Sequence, residues 1–398
     1  MSFLLALLEY KAAIIFYLLV FIFVYLNRKK FEVHGNFIFL YRTQFGIKLM
    51  EKIASKFGKA VKFLGYIGSV IGFIGMAAVF ALILLMAYKL LIGGSKAAAS
   101  PVLPGLPIAG TGLIFPLVTG WIVLFIIILI HEFSHGVVAS AHKIKVKNSG
   151  IAFFGPILGA FVEPDEEQLK KRKDMVQHSV FAAGAFSNFL TVAVVMLLAV
   201  VFLAPLNNIL TEPTGVAVFS QPGHPAEAAG IKNNSIVTEI NGKDIRTTED
   251  FREAMLEVNA GEKVNVAANG SSYAVTSEGS PDEPSQGYLG VWIIKEERKL
   301  KHDNFLYQML LKMLTWLQQM FGWLSFLSLN IGLINLLPIF ITDGARMLKI
   351  FLERIIKDKE KSISVWAAFN WISLLSLLTL VFLPLFRWIN SSLASLIF

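Results

Sequence analysis

The segment Trp121-Ile-Val-Leu-Phe-Ile-Ile-Ile-Leu-Ile130-His131-Glu132-Phe133-Ser134-His135 sets both the fold class and the chemistry of this 398-residue chain. Ten apolar residues run directly into two histidines and a glutamate. On a helix, positions i and i+4 share a face, so both imidazoles can grip one metal ion. Glu132 stands next to the first of them, placed to reach a metal-bound water rather than the metal itself. Such groups inside an apolar helix are costly unless satisfied, which makes them functional candidates. The plainer alternative is a buried His–Glu hydrogen-bonded cluster without metal.

Working outward, the whole chain has the composition of a membrane protein. It is 55% hydrophobic and only 16% charged, against about 25% charged in an ordinary soluble domain. Six apolar stretches read as spans: about Ala12–Leu26, Phe63–Leu91, Leu113–Ala141, Val176–Leu206, Phe305–Leu337 and Ile363–Leu385. A 30 Å hydrocarbon core needs roughly 20 residues, so the first reaches across only with Tyr10 and Lys11 at the interface. Its basic residues, Arg28-Lys29-Lys30, follow the apolar run, so it reads as a retained helix and not a cleaved signal. Nine Lys or Arg fall in 28–62, seven in 142–175 and six in 346–361, whereas the 92–112 connection carries only Lys96. By the positive-inside rule the three basic connections are cytoplasmic, and the N-terminus is outside. The net charge of +8 is then a lipid-facing feature, with no clustered nucleic-acid motif.

The chain has no cysteine, so any metal is held by His, Asp or Glu. Hydrolytic zinc sites usually take three protein ligands. His34, His142, His178, His224 and His302 lie outside the spans' chemistry-bearing ends and serve poorly. Asp343 is the better third ligand, in Asn335-Leu-Leu-Pro338-Ile-Phe-Ile-Thr-Asp343-Gly344. Pro338 breaks the fifth span and lets the chain turn at membrane depth. Gly344 is expected to supply an unusual backbone angle that swings Asp343 toward the metal. Its plain alternative is a helix-terminal residue beside Arg346.

Residues 213–295 differ from the rest. They are polar, and Gly230, Asn241-Gly242 and Asn269-Gly270 punctuate short alternating runs such as Ser235–Ile240 and Lys263–Ala267, which read as strands. Glu249–Val258 has helical spacing, with Thr247 or Thr248 as its cap.

His131–His135 together with Asn335-x-x-Pro338-x-x-x-x-Asp343-Gly344 resembles the site-2 protease family of intramembrane zinc metalloproteases, over roughly 113–350. Phe154-Gly155-Pro-Ile-Leu-Gly159-Ala160 is similar to the family's membrane-associated hairpin, thought to offer a strand edge to unwound substrate. Gly184-Ala-Phe-Ser-Asn188 resembles its Gly-x-x-x-Asn pattern. The resemblance implies substrate or oxyanion roles for Asn188, Asn335, Gly155 and Gly159, with interhelical hydrogen bonds as the alternative for the asparagines. Pro225–Ile245 resembles a PDZ domain, and Gly287-Tyr288-Leu289-Gly290 its carboxylate-binding loop, which implies capture of peptide C-termini or a steric filter.

The expected fold is therefore a polytopic α-helical membrane protein of about six transmembrane helices. It carries a short re-entrant β-hairpin-like segment and an inserted α+β PDZ-like domain. Residues 1–112 form an N-terminal helix pair with a basic amphipathic connection (Tyr41–Lys62), read as an anchor or a lateral gate. The protease core is split between 113–212 and 296–350 around the PDZ-like domain at 213–295, and 351–398 holds an amphipathic and a transmembrane helix. The resemblance implies one zinc ion per chain on His131, His135 and Asp343, with Glu132 as general base on zinc-bound water. Implied partners are the bilayer and single-span membrane substrates, cut near the cytoplasmic side, with the PDZ-like domain extracytoplasmic. One rival is a metalloprotease whose third ligand is a glutamate, tested at Glu163. The other is a non-proteolytic PDZ-bearing scaffold or transporter.

Overall fold

The computed structural model describes residues 10–34, 38–93, 99–100, 102–108, 113–154 and 157–397. The chain divides into two compact units, Met1–Leu197 with Gln319–Phe398, and Leu198–Gln318. In chain order the first half of unit one contains α1 (Lys11–Leu26), β1 (Glu32–His34), β2 (Ile38–Thr43), α2 (Ile47–Leu91) and α3 (Leu117–Ala141). There follow β3 (Val146–Phe154), β4 (Ile157–Pro164), the short α4 (Glu166–Lys170) and α5 (Asp174–Leu198). Unit two holds α6 (Ala204–Leu210), β5 (Thr211–Ser220), α7 (Pro225–Ala228), β6 (Ser235–Ile240), β7 (Lys243–Asp244) and α8 (Thr248–Leu256). It continues with β8 (Lys263–Ala268), β9 (Ser271–Thr276), β10 (Glu278–Gly279), β11 (Gly287–Tyr288) and β12 (Val291–Leu300). The chain ends with α9 (Phe305–Leu336), α10 (Asp343–Ile355) and α11 (Lys359–Ile397).

Among the described residues, five helices are long and apolar enough to cross a membrane: Ile47–Leu91, Leu117–Ala141, Asp174–Leu210, Phe305–Leu336 and Lys359–Pro384. The protein is a polytopic helical membrane protein. The first apolar stretch, expected as a sixth span, forms the 16-residue α1. At 1.5 Å per residue it is about 24 Å long, short of a 30 Å core. The expected amphipathic connection also differs. Tyr41 lies in β2, and from Ile47 the chain is already in α2, which is kinked at Phe57 (φ −116°, ψ 22°) and runs on for 45 residues. No proline interrupts 47–91, so nothing ends the helix before the apolar run begins.

In unit one, α2 is seated by a stripe of glycines at spacings of three and four. A Cβ on Gly65 would meet Ser179 Cβ at 3.2 Å, on Gly68 the Phe186 ring at 3.0 Å, on Gly72 Met347 Cε at 3.0 Å and on Gly75 Leu336 Cδ1 at 2.7 Å. Small residues permit this close helix approach in lipid. The partners lie on α5, α10 and the end of α9, so α2 braces three elements at once. Strands β1-β2-β3-β4 form an antiparallel sheet in that order, with β4 at one edge.

In unit two the order is β12-β5-β6-β8-β9, with β7 added on β6 and a separate β10-β11 pair. Strand β8 buries Val264, Val266 and Ala268 and exposes Lys263 and Asn265, the period-2 pattern of a half-buried strand. The two-residue loops Asn241-Gly242 (φ 49° and 82°) and Asn269-Gly270 (φ 51° and 76°) have both residues in the left-handed region, as type I′ hairpins require. Helix α8 begins with a capping box. Thr247 Oγ1 accepts from Asp250 N, and the Asp250 carboxylate accepts from the amides of Thr247 and Arg246. Those amides, Thr247's first, hold the Asp250 carboxyl below its ordinary range.

Three outcomes follow. Thr247→Ala should cost about 1 kcal/mol locally, read as faster amide exchange over 248–256 in the full-length protein. Because the folded carboxyl is depressed, the Asp250 contribution is present at neutral pH and is lost as acid titrates it below about pH 4. Gly68→Leu should overpack α2 against Phe186 and cost about 1–3 kcal/mol, seen as a lower unfolding midpoint in detergent.

Candidate metal centre

His131 and His135 lie one turn apart on α3, both buried, with their rings 5.0 Å apart. Asp343 reaches them from the first position of α10. Its Oδ2 stands 3.2 Å from His131 Nε2 and 3.2 Å from His135 Nε2. These three form a group whose ligand atoms all lie within 4.8 Å of one another.

The turn that delivers Asp343 is built by Thr342. Helix α9 ends at Leu336, Pro338 follows, and Thr342 caps α10 by accepting from Ala345 N. The same hydroxyl lies within hydrogen-bond reach of the Leu337 and Ile339 carbonyls, left over where the helix stops. Trp366 Nε1 on α11 donates to Ala345 O at 2.8 Å and pins this first turn. Gly344 plays a different part from the one expected of it. It is not at positive φ; a Cβ there would lie 2.0 Å from the Leu336 carbonyl oxygen. The glycine is required by close backbone approach.

The protonation pattern is set by the second nitrogen of each ring. His135 Nδ1 is 2.7 Å from the Val180 carbonyl, which can only accept. Nδ1 therefore carries a proton, and Nε2 faces the Asp343 carboxylate at 3.2 Å. That approach requires a positive charge, carried by a proton on the ring or by a metal ion. His131 Nδ1 is 3.2 Å from Asn188 Nδ2, while the buried Asn188 Oδ1 has no partner. With the amide rotated by half a turn, Oδ1 would accept from His131 Nδ1–H and leave Nε2 of His131 facing Asp343. The donor set of two neutral imidazoles and one carboxylate is that of hydrolytic zinc. Bonds of about 2.0–2.1 Å at tetrahedral angles separate ligand atoms by about 3.3 Å, in agreement with the spacing here. The residues present fit a zinc ion.

Gly184 on α5 completes the cradle. A Cβ there would lie 2.4 Å from both His131 Nε2 and His135 Nε2. Glu132 is held by strand β4, since its Oε2 accepts from Val162 N at 3.1 Å.

The other candidate residues are placed as follows. Asn188 is fully buried and meets His131, which gives it an orienting contact and none to Glu132. Asn335 Nδ2 donates to Ile331 O of its own helix at 3.1 Å. Gly159 lies opposite Ala152 in the β3–β4 ladder, and Gly155 lies outside the described residues. Glu163 is taken up by Arg42, at 2.7 Å from Nη2, and by Asn148 at 2.9 Å. His142 packs by Ser179 at 3.3 Å, and burial, then Lys62 and Arg172, holds its pKa down. In unit two, Tyr288 lies in β11, Leu289 is buried with its carbonyl accepting from Ala226 N, and the Gly290 carbonyl accepts from Gln221 N. Val180, Val162, Thr342 and Gly184 as cradle were not legible as site residues. Only the small-residue run around Gly184 hinted at one of them.

The sequence model of Peptidase family M50 matches residues 119–380, about two thirds of the chain. An uncharacterized protein of Methanocaldococcus jannaschii is 27% identical over 341 residues, covering 84% of this chain and 82% of that one. The zinc metalloprotease RasP of Oceanobacillus iheyensis is 26% identical over 219 residues, 44% of this chain and 50% of its own length. The regulator of sigma-W protease RasP of Bacillus subtilis is 25% identical over 262 residues, 55% of this chain and 61% of its own. The chain thus spans about half to three fifths of the two proteases it matches.

Gly184→Ala should put a methyl where the two Nε2 atoms converge and abolish metal uptake. Asn188→Ala should leave the fold intact and weaken zinc binding about 10–100-fold, measured by competition with a chromophoric chelator.

Proposed function

Because the chain belongs to peptidase family M50, the site-2 protease family, we propose that it is an intramembrane zinc endopeptidase acting on single-span membrane proteins. The observation that carries this is the meeting of the Nε2 atoms of His131 and His135 with the Asp343 carboxylate, beside Glu132 on an apolar helix. His131, His135 and Asp343 are the proposed ligands of one zinc ion. Bound there, zinc supplies an acidified water and polarises the scissile carbonyl. Glu132 takes the water's proton and returns it to the leaving nitrogen. Asn188 and Val180 hold the two imidazoles in the ligating tautomer. The rival with a glutamate ligand is disfavoured, because Glu163 is neutralised in the fork of Arg42.

The β3–β4 pair reads as the re-entrant hairpin. Its β4 edge has no strand partner among the described residues, which supports addition of unwound substrate as a further strand. The 213–295 segment reads as a PDZ-like domain. Strand β12 follows Gly287–Gly290 and sits at the edge of its sheet, which supports peptide capture there. The Lys and Arg distribution favours an extracytoplasmic N-terminus and PDZ-like domain, with the metal centre toward the cytoplasm. The scaffold or transporter reading leaves the meeting of His131, His135 and Asp343 beside Glu132 without a role.

Purified wild type should hold one zinc per chain and cut a single-span reporter. Glu132→Gln should keep the zinc and lose about 10²–10⁴-fold in rate, and Asp343→Ala should lose both. Wild-type cleavage by Glu132→Gln, or zinc-free active protein, would sink the proposal.

A further inference from the structure

Glu132 Oε2 accepts from Val162 N at 3.1 Å, so whatever fixes Val162 fixes that carboxylate. A Cβ on Gly136, one turn after Glu132 on α3, would lie 3.2 Å from Val162 Cγ1. Strand β4 is thus seated on α3 at two points of one helix face, Glu132 and Gly136.

The rest of the sheet holds the strand in that seat. Thr43, Ser149 and Val162 are partners in one row across β2, β3 and β4. Thr43 Oγ1 donates to Ser149 O at 3.2 Å, and Ser149 Oγ donates to Phe45 O at 2.6 Å, where β2 turns into α2. In the adjacent row the partners are Arg42, Gly150 and Phe161. Glu163 stands two residues beyond Phe161, on the same face of β4. Gly150 puts no side chain between Arg42 and β4, and a Cβ there would meet the Phe161 ring at 2.7 Å. Arg42 reaches across that gap. Its Nε and Nη2 donate to Glu163 at 3.0 and 2.7 Å, and its Nη1 pairs with Glu32 on β1. Asn148 Nδ2 adds a third bond to Glu163, at 2.9 Å. A forked guanidinium–carboxylate pair fixes direction as well as distance. With side chains 25% and 31% exposed, this pair is less screened than one on the open surface.

We propose that Arg42 is a positioning residue for the base, acting through Glu163 and Val162 on the Glu132 carboxylate. The inference rests on the protease reading, in which Glu132 moves the water's proton. Arg42 lies well before residues 119–380, where the family model matches, so the base is aligned by a strand outside the matched region. A general base works only within hydrogen-bond reach of the proton it takes. Drift of its anchor by about 1 Å is enough to cost rate. The proposed zinc ligands stand on α3 and α10 and not on the sheet, so metal uptake does not depend on the fork.

The test uses full-length protein in liposomes with a single-span reporter, and reads kcat, KM and zinc content. Arg42→Gln and Glu163→Gln should each lower kcat about 10–100-fold, with KM and zinc content unchanged. Because both break one link, the double variant should be no slower than either single one. Arg42→Lys keeps the charge and loses the fork, and should show the same loss in kcat. It carries the test if Arg42→Gln does not fold. Lys147→Gln breaks a more exposed pair of the same hairpin, Lys147 with Asp165 at 3.3 Å, and should cleave as wild type does. If wild type cleaves no reporter, the protease reading itself fails. With an active wild type, an unchanged kcat in the Arg42 variants overturns the positioning role alone. So does a rise in KM in place of the loss in kcat, a multiplied loss in the double variant, or loss of zinc from Glu163→Gln.

Discussion

A carboxylate oxygen and two imidazole nitrogens, 3.2 Å apart and screened from water by apolar helices, cannot coexist as bare lone pairs. Everything around them removes the ways out. The Val180 carbonyl keeps the His135 proton on the far nitrogen. Asn188 meets the far nitrogen of His131. Gly184 leaves only hydrogen where a side chain would fill the space between the nitrogens. What remains is a site whose geometry and donor set fit a divalent cation.

The scaffold extends beyond the part of the chain that matches the family. Helix α2 lies outside residues 119–380, yet its glycine stripe packs against α5, α10 and the end of α9, which carry Asn188, Asp343 and Asn335. It is less an accessory anchor than a spine against which the ligand-bearing helices register. The hairpin is braced from the same side. Arg42 on β2 bridges across β3 to Glu163 on β4, and the neighbouring Val162 holds Glu132. Glu132 and the strand edge beside it are therefore one mechanical unit.

Long-period signals were readable without coordinates. The apolar run before His131, the i, i+4 spacing and the Asn-Gly hairpin loops are local, and local geometry follows from the residues alone. The shortfall of α1 and the continuity of α2 were matters of length, where a few residues change whether a helix spans. Gly344 was misread because a glycine can be demanded either by its own φ or by a neighbour's approach. Only the position of the Leu336 carbonyl distinguishes the two.

By itself, the sequence determined that this chain belongs in a bilayer, that any metal it holds is held without thiols, and that His131, Glu132 and His135 lie together on one helix. Only the tertiary structure decided that the Asp343 carboxylate meets both imidazoles, that Glu132 leans on β4, and that Gly184 leaves the space between the two nitrogens open. The reason is physical. Tautomers, cradles and cavities are set by contacts between residues tens to hundreds of positions apart, such as His135 with Val180 or His131 with Asp343, and helical periodicity carries no record of them.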